Sequence, residues 1–397
     1  MNQNVNKLTG HEINLNEDNF FQNKSWKINS NLTINYEIRV SENLFDAKNR
    51  TLKNLIQSIS SEKQQIIIDE NVAKIHGDSI ENYFSEHSIP IELHSIAASE
   101  PEKSLETALE LLRLLEDKRT LRRSAPFLAI GGGVLLDLAG FAASLYRRGV
   151  PHIRIPTNLM ALVDASIGVK TGVNIWDRRN RLGTYSAPAG VLLDQTFLKT
   201  VPTRELSNGL AEILKLAVIK DAKLFDLLEA AGERLLSCKL QDDEFSPEII
   251  ARATQGMIEE LEPNLWEREL ERCVDFGHSF SPLVEMSALP ELLHGEAVAM
   301  DVLLSCILAA QRGLLTDADV RRVAATMRGL GLALIAPKFT EVETLWASLE
   351  DATLHRDGLQ RLPLPQGIGR YVFVNDMTIG EVERAVRYQQ VLAGENR

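Results

Sequence analysis

Cysteine is scarce in this chain. Cys238, Cys273 and Cys306 are the only three in 397 residues, widely spaced and odd in number. Such a set fits the reduced thiols of a cytoplasmic protein better than a disulfide framework. Positive charge is also in the minority: 43 Lys and Arg face 55 Asp and Glu, a formal net charge of -12. That balance argues against a general nucleic-acid binder, while leaving room for a local basic pocket that takes a phosphate. The first 25 residues contain no signal-like apolar run, and no later run reaches membrane-spanning length free of charge, so a soluble chain is expected. An internal repeat of fixed period and a long low-complexity tract are likewise missing. The spaced glycines of G-x-G-x-x-G are absent, and Lys170-Thr171-Gly172 lacks the preceding glycine pattern of a nucleotide phosphate loop, which disfavours an ATPase.

What is present is enough apolar residue, 44%, for a sizeable core in a chain longer than one core usually serves, so two domains are expected. Residues 1–32 are Asn-rich without a durable apolar period and read as a loosely attached extension or a peripheral hairpin. Alternation from Ile34 through Val40 predicts a strand, and Gln65-Ile66-Ile67-Ile68-Asp69 a buried one. A helical stretch near 102–117, the run Phe127-Leu128-Ala129-Ile130 and a last apolar run at Val191-Leu192-Leu193-Asp194 complete an alternating order. An α/β domain with a mostly parallel sheet over 33–194 follows. Segments 205–235, 247–261, 296–312, 316–328 and 379–393 read as helices, making 195–397 a mainly helical second domain with a site expected in the cleft between the two.

Several residues stand out for their chemistry. Gly131-Gly132-Gly133 follows a strand and precedes a helical run containing Asp137, and reads either as a tight structural turn or as a backbone cradle for pyrophosphate at a helix mouth. Asp69 at a strand end suits a ribose diol or a solvated turn, and Glu100 with Lys103 suits a second ribose or an exposed pair. Glu212 and Lys215 share a helical face, so that a carboxylate can meet a cation while the ammonium attends an oxyanion. His278 and His294, each beside glycine and sixteen residues apart, are either core histidines or two ligands from separate elements. With a glutamate they would leave a zinc-like ion open to substrate oxygens. Tyr146-Arg147-Arg148-Gly149 reads as a helix terminus, Asp164 and Lys170 flank a small-residue segment, and Arg178-Arg179-Asn180-Arg181 is a solvated run or part of a sugar-phosphate pocket. Trp176 would cover that pocket or pack it.

Over roughly residues 60–375 this set resembles the sugar phosphate cyclases, the family of 3-dehydroquinate synthase. The resemblance implies a dehydroquinate synthase-like fold and zinc, with cobalt a possible substitute, on Glu212, His278 and His294. It implies NAD held by Asp69, Glu100, Lys103, the triglycine, Asp137 and Thr157. Substrate or catalytic positions fall on Arg148, Asp164, Lys170, Asn180 and Lys215, and a homodimer is expected. Departures matter as well. Pro282 stands where dehydroquinate synthases carry a second histidine, Asp275 where they carry Asn, and Glu271 where they carry an Arg, so a cation is missing and negative groups are present for a carboxylate-bearing heptulosonate. The stretches 276–286 and 356–363 resemble the 2-epi-5-epi-valiolone synthase branch, whose substrate is sedoheptulose 7-phosphate, and the intact Gly168–Asn174 segment separates the chain from the desmethyl-4-deoxygadusol synthase branch. The implied reaction is transient oxidation by NAD, phosphate elimination, re-reduction and intramolecular aldol addition. Arg179 and Asn158, where Lys and Thr are common, leave 2-epi-valiolone formation open. Dehydroquinate synthesis, a metal-dependent polyol dehydrogenase and a non-catalytic interaction protein are the remaining readings.

Overall fold

The computed structural model describes residues 25–59, 63–176, 178–242 and 244–395. Residues Met1–Asn35 and Tyr36–Arg397 are separate units, and the described part of the first, 25–35, contains no helix or strand. Most of the extension predicted for residues 1–32 lies outside the described residues.

In the larger unit, strands and helices alternate: β1 Ile38–Val40, α1 Thr51–Ile59, β2 Gln64–Asp69, α2 Glu70–Glu86, β3 Ile91–Ile96, α3 Leu105–Asp117, β4 Phe127–Gly131, α4 Gly133–Leu145 and β5 His152–Pro156. A hairpin follows, β6 Lys170–Ile175 and β7 Arg178–Tyr185, and β8 Gly190–Leu193 returns to the sheet. The six sheet strands run in the order β1-β8-β5-β4-β2-β3, every pair parallel. Helices cover both faces, which is why β4 is buried at all five positions and β2 carries the uninterrupted Ile66-Ile67-Ile68. The chain leaves β2 for β3 on one side and crosses to β4 on the other, so the connections diverge between β2 and β4. A crevice opens there beyond the strands' carboxyl ends, at Asp69 and Gly131.

Beyond β8 the chain is mainly helical: α5 Thr203–Ile219, α6 Ala222–Ala231, α7 Arg234–Ser237, α8 Ser246–Leu261, α9 Ser281–Ser287, α10 His294–Gln311, α11 Asp317–Gly329 and α12 Val342–His355. A small antiparallel pair, β9 Leu362–Pro365 and β10 Tyr371–Val374, precedes α13 Ile379–Gly394. Helices α5 and α10 are buried on nearly all sides and form the axis of this half. They cross closely: Gly295 N–H donates to Asn208 Oδ1 at 2.5 Å, and a Cβ on Gly295 would overlap the Asn208 carbonyl oxygen.

Differences from the sequence reading have local causes. The strand predicted from Ile34 pairs only over Ile38–Val40, because its partner β8 is itself short. The helix near 102–117 starts at Leu105, where the Ser104 hydroxyl accepts from Thr107 N–H and caps it. Segment 205–235 is interrupted: Asp221 caps α6, and Gly232 ends it at φ +48°. Helix α12 and both hairpins were absent from the sequence reading. Because the α5–α10 crossing has no space for a methyl group, Gly295→Ala is expected to lower unfolding free energy by ~1–3 kcal/mol. Urea denaturation reads this directly, and an unchanged midpoint would show that the helices can separate without cost.

Candidate metal and cofactor site

Glu212 emerges from the middle of α5 with no exposed surface. Opposite it stand His278, on the loop before α9, and His294, the first residue of α10. His294 Nε2 lies 3.2 Å and His278 Nε2 3.6 Å from Glu212 Oε1, and the two Nε2 atoms are 3.4 Å apart. One oxygen and two imidazole nitrogens thus converge on a single point, the donor chemistry of an open zinc site.

Each imidazole is held from its other nitrogen. His278 Nδ1 meets Phe276 O at 3.2 Å, which assigns that ring's proton to Nδ1 and leaves its Nε2 lone pair facing Glu212, while His294 Nδ1 meets Glu285 Oε2 at 2.9 Å and also contacts Arg179 Nη1. The loop bearing His278 is fixed by Asp301 of α10, whose Oδ2 accepts from Ser279, Phe280 and Ser281 N–H at 2.9, 2.6 and 2.9 Å. Gly277 makes the turn at φ +78°, against Val298.

The electrostatics of the two histidines differ: burial and Arg179 act to lower the His294 imidazole, but Glu285 and Glu212 outweigh them and raise it. Burial, followed by the nearby Lys215 ammonium, pushes the His278 imidazole down to about 3, so it is neutral at physiological pH. Burial opposes the charge on Glu212, but Lys215 and then the two histidines outweigh it and hold the carboxyl well below the usual range. Lys215 Nζ stands 2.5 Å from Glu212 Oε2, one helical turn along. Asp164 faces the same centre, and burial raises its carboxyl.

The site lies in a cleft of about 1200 Å³ that continues to the sheet crevice. Asp69 lines it while capping α2, accepting from Asn71 and Val72 N–H. Gly132 and Gly133 lie at the mouth of α4 with no side-chain cap on its first amides, an arrangement that fits a pyrophosphate. A Cβ on Gly132 would meet Asn158 Nδ2 at 2.7 Å, and one on Gly131 would meet the Leu135 side chain, so a side chain at either position would force its neighbour to move. Thr157 lines the cleft beside them.

Glu100 and Lys103 do not pair with each other. The buried Lys103 donates to Asp137 Oδ2 at 2.5 Å and Asn180 Oδ1 at 2.6 Å, whereas Glu100 accepts from Asn174 Nδ2 at 2.8 Å. Arg179 reaches both halves of the cleft, with Nε 3.5 Å from Glu100 and Nη1 3.0 Å from Glu285.

Residues 93–208 match the family described as 3-dehydroquinate synthase N-terminal, and residues 209–352 the one described as 3-dehydroquinate synthase C-terminal. The chain belongs to the 3-dehydroquinate synthase family of sugar phosphate cyclases. A 2-epi-5-epi-valiolone synthase from Actinomyces sp is 46% identical over 376 residues, covering 93% of this chain and 98% of that enzyme. A demethyl-4-deoxygadusol synthase from Trichormus variabilis is 38% identical over 360 residues, covering 89% of this chain and 87% of that enzyme. The structure of the Streptomyces hygroscopicus subsp. jinggangensis 2-epi-5-epi-valiolone synthase, with NAD+ and Zn2+ bound, superimposes with a TM-score of 0.89 at 46% identity, covering 92% of this chain and 99% of that one.

Within this family frame, some residues fall outside the sequence expectations. Arg148 is exposed on the turn after α4, at φ +62°, and is not among the residues lining the chain's own cleft. Trp176 is 80% exposed at the hairpin tip, neither covering the pocket nor packing it. Asp275 is not an unpaired negative group: Arg272 lies 3.0 Å and Arg356 3.3 Å from its carboxylate. Glu285, Asp301, Glu267 and Arg272 were not singled out. Glu285 and Asp301 each follow a predicted ligand by seven residues, but only the fold turns that interval into contact.

His294→Ala is expected to abolish stoichiometric zinc. Asp301→Ala keeps all three donors and is expected to weaken zinc ~10–100-fold by freeing their support. Competition with a chromogenic chelator measures both variants, and full zinc content in His294→Ala would remove that residue from the set.

Proposed function

We propose that this chain converts sedoheptulose 7-phosphate into 2-epi-5-epi-valiolone and inorganic phosphate, as a zinc- and NAD-dependent cyclase. The observation that carries this reading is the 46–47% identity to several 2-epi-5-epi-valiolone synthases along nearly the whole chain. Residues 33–194 hold the cofactor and residues 195–397 the metal.

In this reading Glu212, His278 and His294 hold zinc, and Asp69, Glu100, Lys103, Gly131–Gly133, Asp137 and Thr157 hold NAD. When bound, zinc polarises a substrate alcohol while NAD+ accepts and later returns hydride, enabling oxidation, phosphate elimination, re-reduction and aldol closure. The protein's own groups bind and orient. Lys215 holds Glu212 ionised and presents an ammonium to the departing phosphate. Asn180, fixed by Lys103 and Asn174, offers its amide to substrate hydroxyls at the boundary between cofactor and metal. Asp164 stands within the field of Lys215 and Lys170, as a carboxyl that can exchange a proton with substrate. Arg148 does not line this chain's cleft, so its contact with substrate is assigned to the second copy in a homodimer.

Zinc-loaded enzyme with catalytic NAD+ is expected to release one phosphate per sedoheptulose 7-phosphate consumed, without net NADH, and to give a carbocycle by NMR. It is expected to leave the carboxylate-bearing heptulosonate 7-phosphate untouched. Accumulation of NADH without phosphate would replace the reading with a polyol dehydrogenase, and turnover of the heptulosonate would replace it with dehydroquinate synthesis.

A further inference from the structure

Arg154 carries a charge yet has no exposed surface, midway along β5 between β4 and β8. Every group it donates to is uncharged: Gly168 O from Nη1 at 2.6 Å, Ser166 O from the same nitrogen at 3.5 Å, Ser186 O from Nη2 at 3.3 Å and His152 Nε2 from Nε at 3.3 Å. Burial, followed by the Arg154 charge, holds the His152 imidazole well below its usual value, so that ring is neutral and its Nε2 accepts. Uncharged acceptors offset only part of the cost of taking a guanidinium out of water, and for stability alone an apolar side chain of similar volume would serve as well. What the planar fork adds is geometry.

Residues 166–169, between Asp164 and Lys170, belong to neither a helix nor a strand, so their carbonyls need donors from elsewhere. Four in succession find them. Ser166 O and Gly168 O take Arg154, Ile167 O takes the Tyr36 hydroxyl at 2.6 Å, and Val169 O takes Ser186 N–H at 2.6 Å. Ser186 follows β7 directly and Gly168 lies two residues before β6, so one guanidinium joins both feet of the hairpin to the central sheet. Lys170, the first residue of β6, lines the cleft immediately beyond this clamp. The far end of the hairpin is held separately by Lys103, through Asn174 N–H and Asn180 Oδ1.

We propose that Arg154 is a positioning residue for Lys170: by holding Gly168 O and Ser186 O to β5, it sets where the Lys170 ammonium stands in the cleft. The proposal rests on the sugar-phosphate reading above, with Lys170 as a group that meets the substrate. Arg154 itself does not line the cleft, so its effect on substrate passes through the hairpin.

The test is calorimetric binding of sedoheptulose 7-phosphate to zinc-loaded enzyme with NADH in place of NAD+, so that the opening oxidation cannot start. Zinc affinity, by chelator competition, is read beside it. Arg154→Met keeps most of the side-chain volume and removes the fork. It is expected to weaken sedoheptulose 7-phosphate ~10-fold or more while zinc affinity changes less than ~2-fold, because the metal donors lie on other elements. In a Lys170→Met background the same change is expected to cost no more than ~3-fold, since its route to substrate is then gone. Hydrogen exchange is expected to quicken at amides of 166–172 and to stay native-like in α10. Native-like sugar-phosphate affinity in folded Arg154→Met overturns the proposal, as does an equal loss of zinc or full additivity with Lys170→Met, the marks of a general structural role. Should Arg154→Met not fold, Arg154→Lys decides by the same outcomes, because an ammonium is a point donor without the fork that spans the two feet. Failure of the functional reading would register separately, as absence of phosphate release from sedoheptulose 7-phosphate by the unaltered enzyme.

Discussion

Helix α10 starts against the backbone of α5, with nothing larger than a hydrogen atom tolerated between Gly295 and the Asn208 carbonyl. That crossing brings the first residue of one helix to the middle of another. His294 comes to 3.2 Å from Glu212, and Asp301, two turns further along α10, reaches the loop that carries His278. The metal-ligand candidates thus depend on one packing distance. Three N–H groups of that loop gather on a single carboxylate, at the cost of keeping Asp301 wholly inside the protein.

Burying so many ionisable groups is tolerable only because they are shared out among opposite charges. Arg179 divides its guanidinium between Glu100 and Glu285, Lys103 lies between Asp137 and Asn180, and Glu267 lies between Lys170 and Arg272. A guanidinium can serve two partners at once through its planar fork, where an ammonium would act as a point charge. Each group therefore has a defined place before any ligand arrives, which favours electrostatic preorganisation over rearrangement during reaction.

Much of the framework was legible in the residue order. Ile66-Ile67-Ile68 and Phe127 to Ile130 announce parallel strands because such strands are covered on both faces, and the triglycine marks the turn where a side chain would collide. Glu212, His278 and His294 stood out by residue type, but their separations carry no local chelating pattern, and the family resemblance was what joined them into one set. What escaped was tertiary. Arg272 stands one position beside Glu271, the residue the sequence singled out, yet it is Arg272 that lines the cleft and pairs with Asp275. The hairpin β6–β7 was invisible because its strands are rich in charge and glycine, and their pairing rather than their composition makes them strands.

That hairpin has a practical side. It carries Lys170 on one strand and Arg179 and Asn180 on the other, and its tip holds Trp176 in solvent. An indole with 80% of its surface exposed reports by its emission on the polarity around it, and this one is joined by a few residues to groups that line the cleft. Because the chain also carries Trp26, Trp266 and Trp346, the emission of this indole is isolated by comparing the native protein with Trp176→Phe.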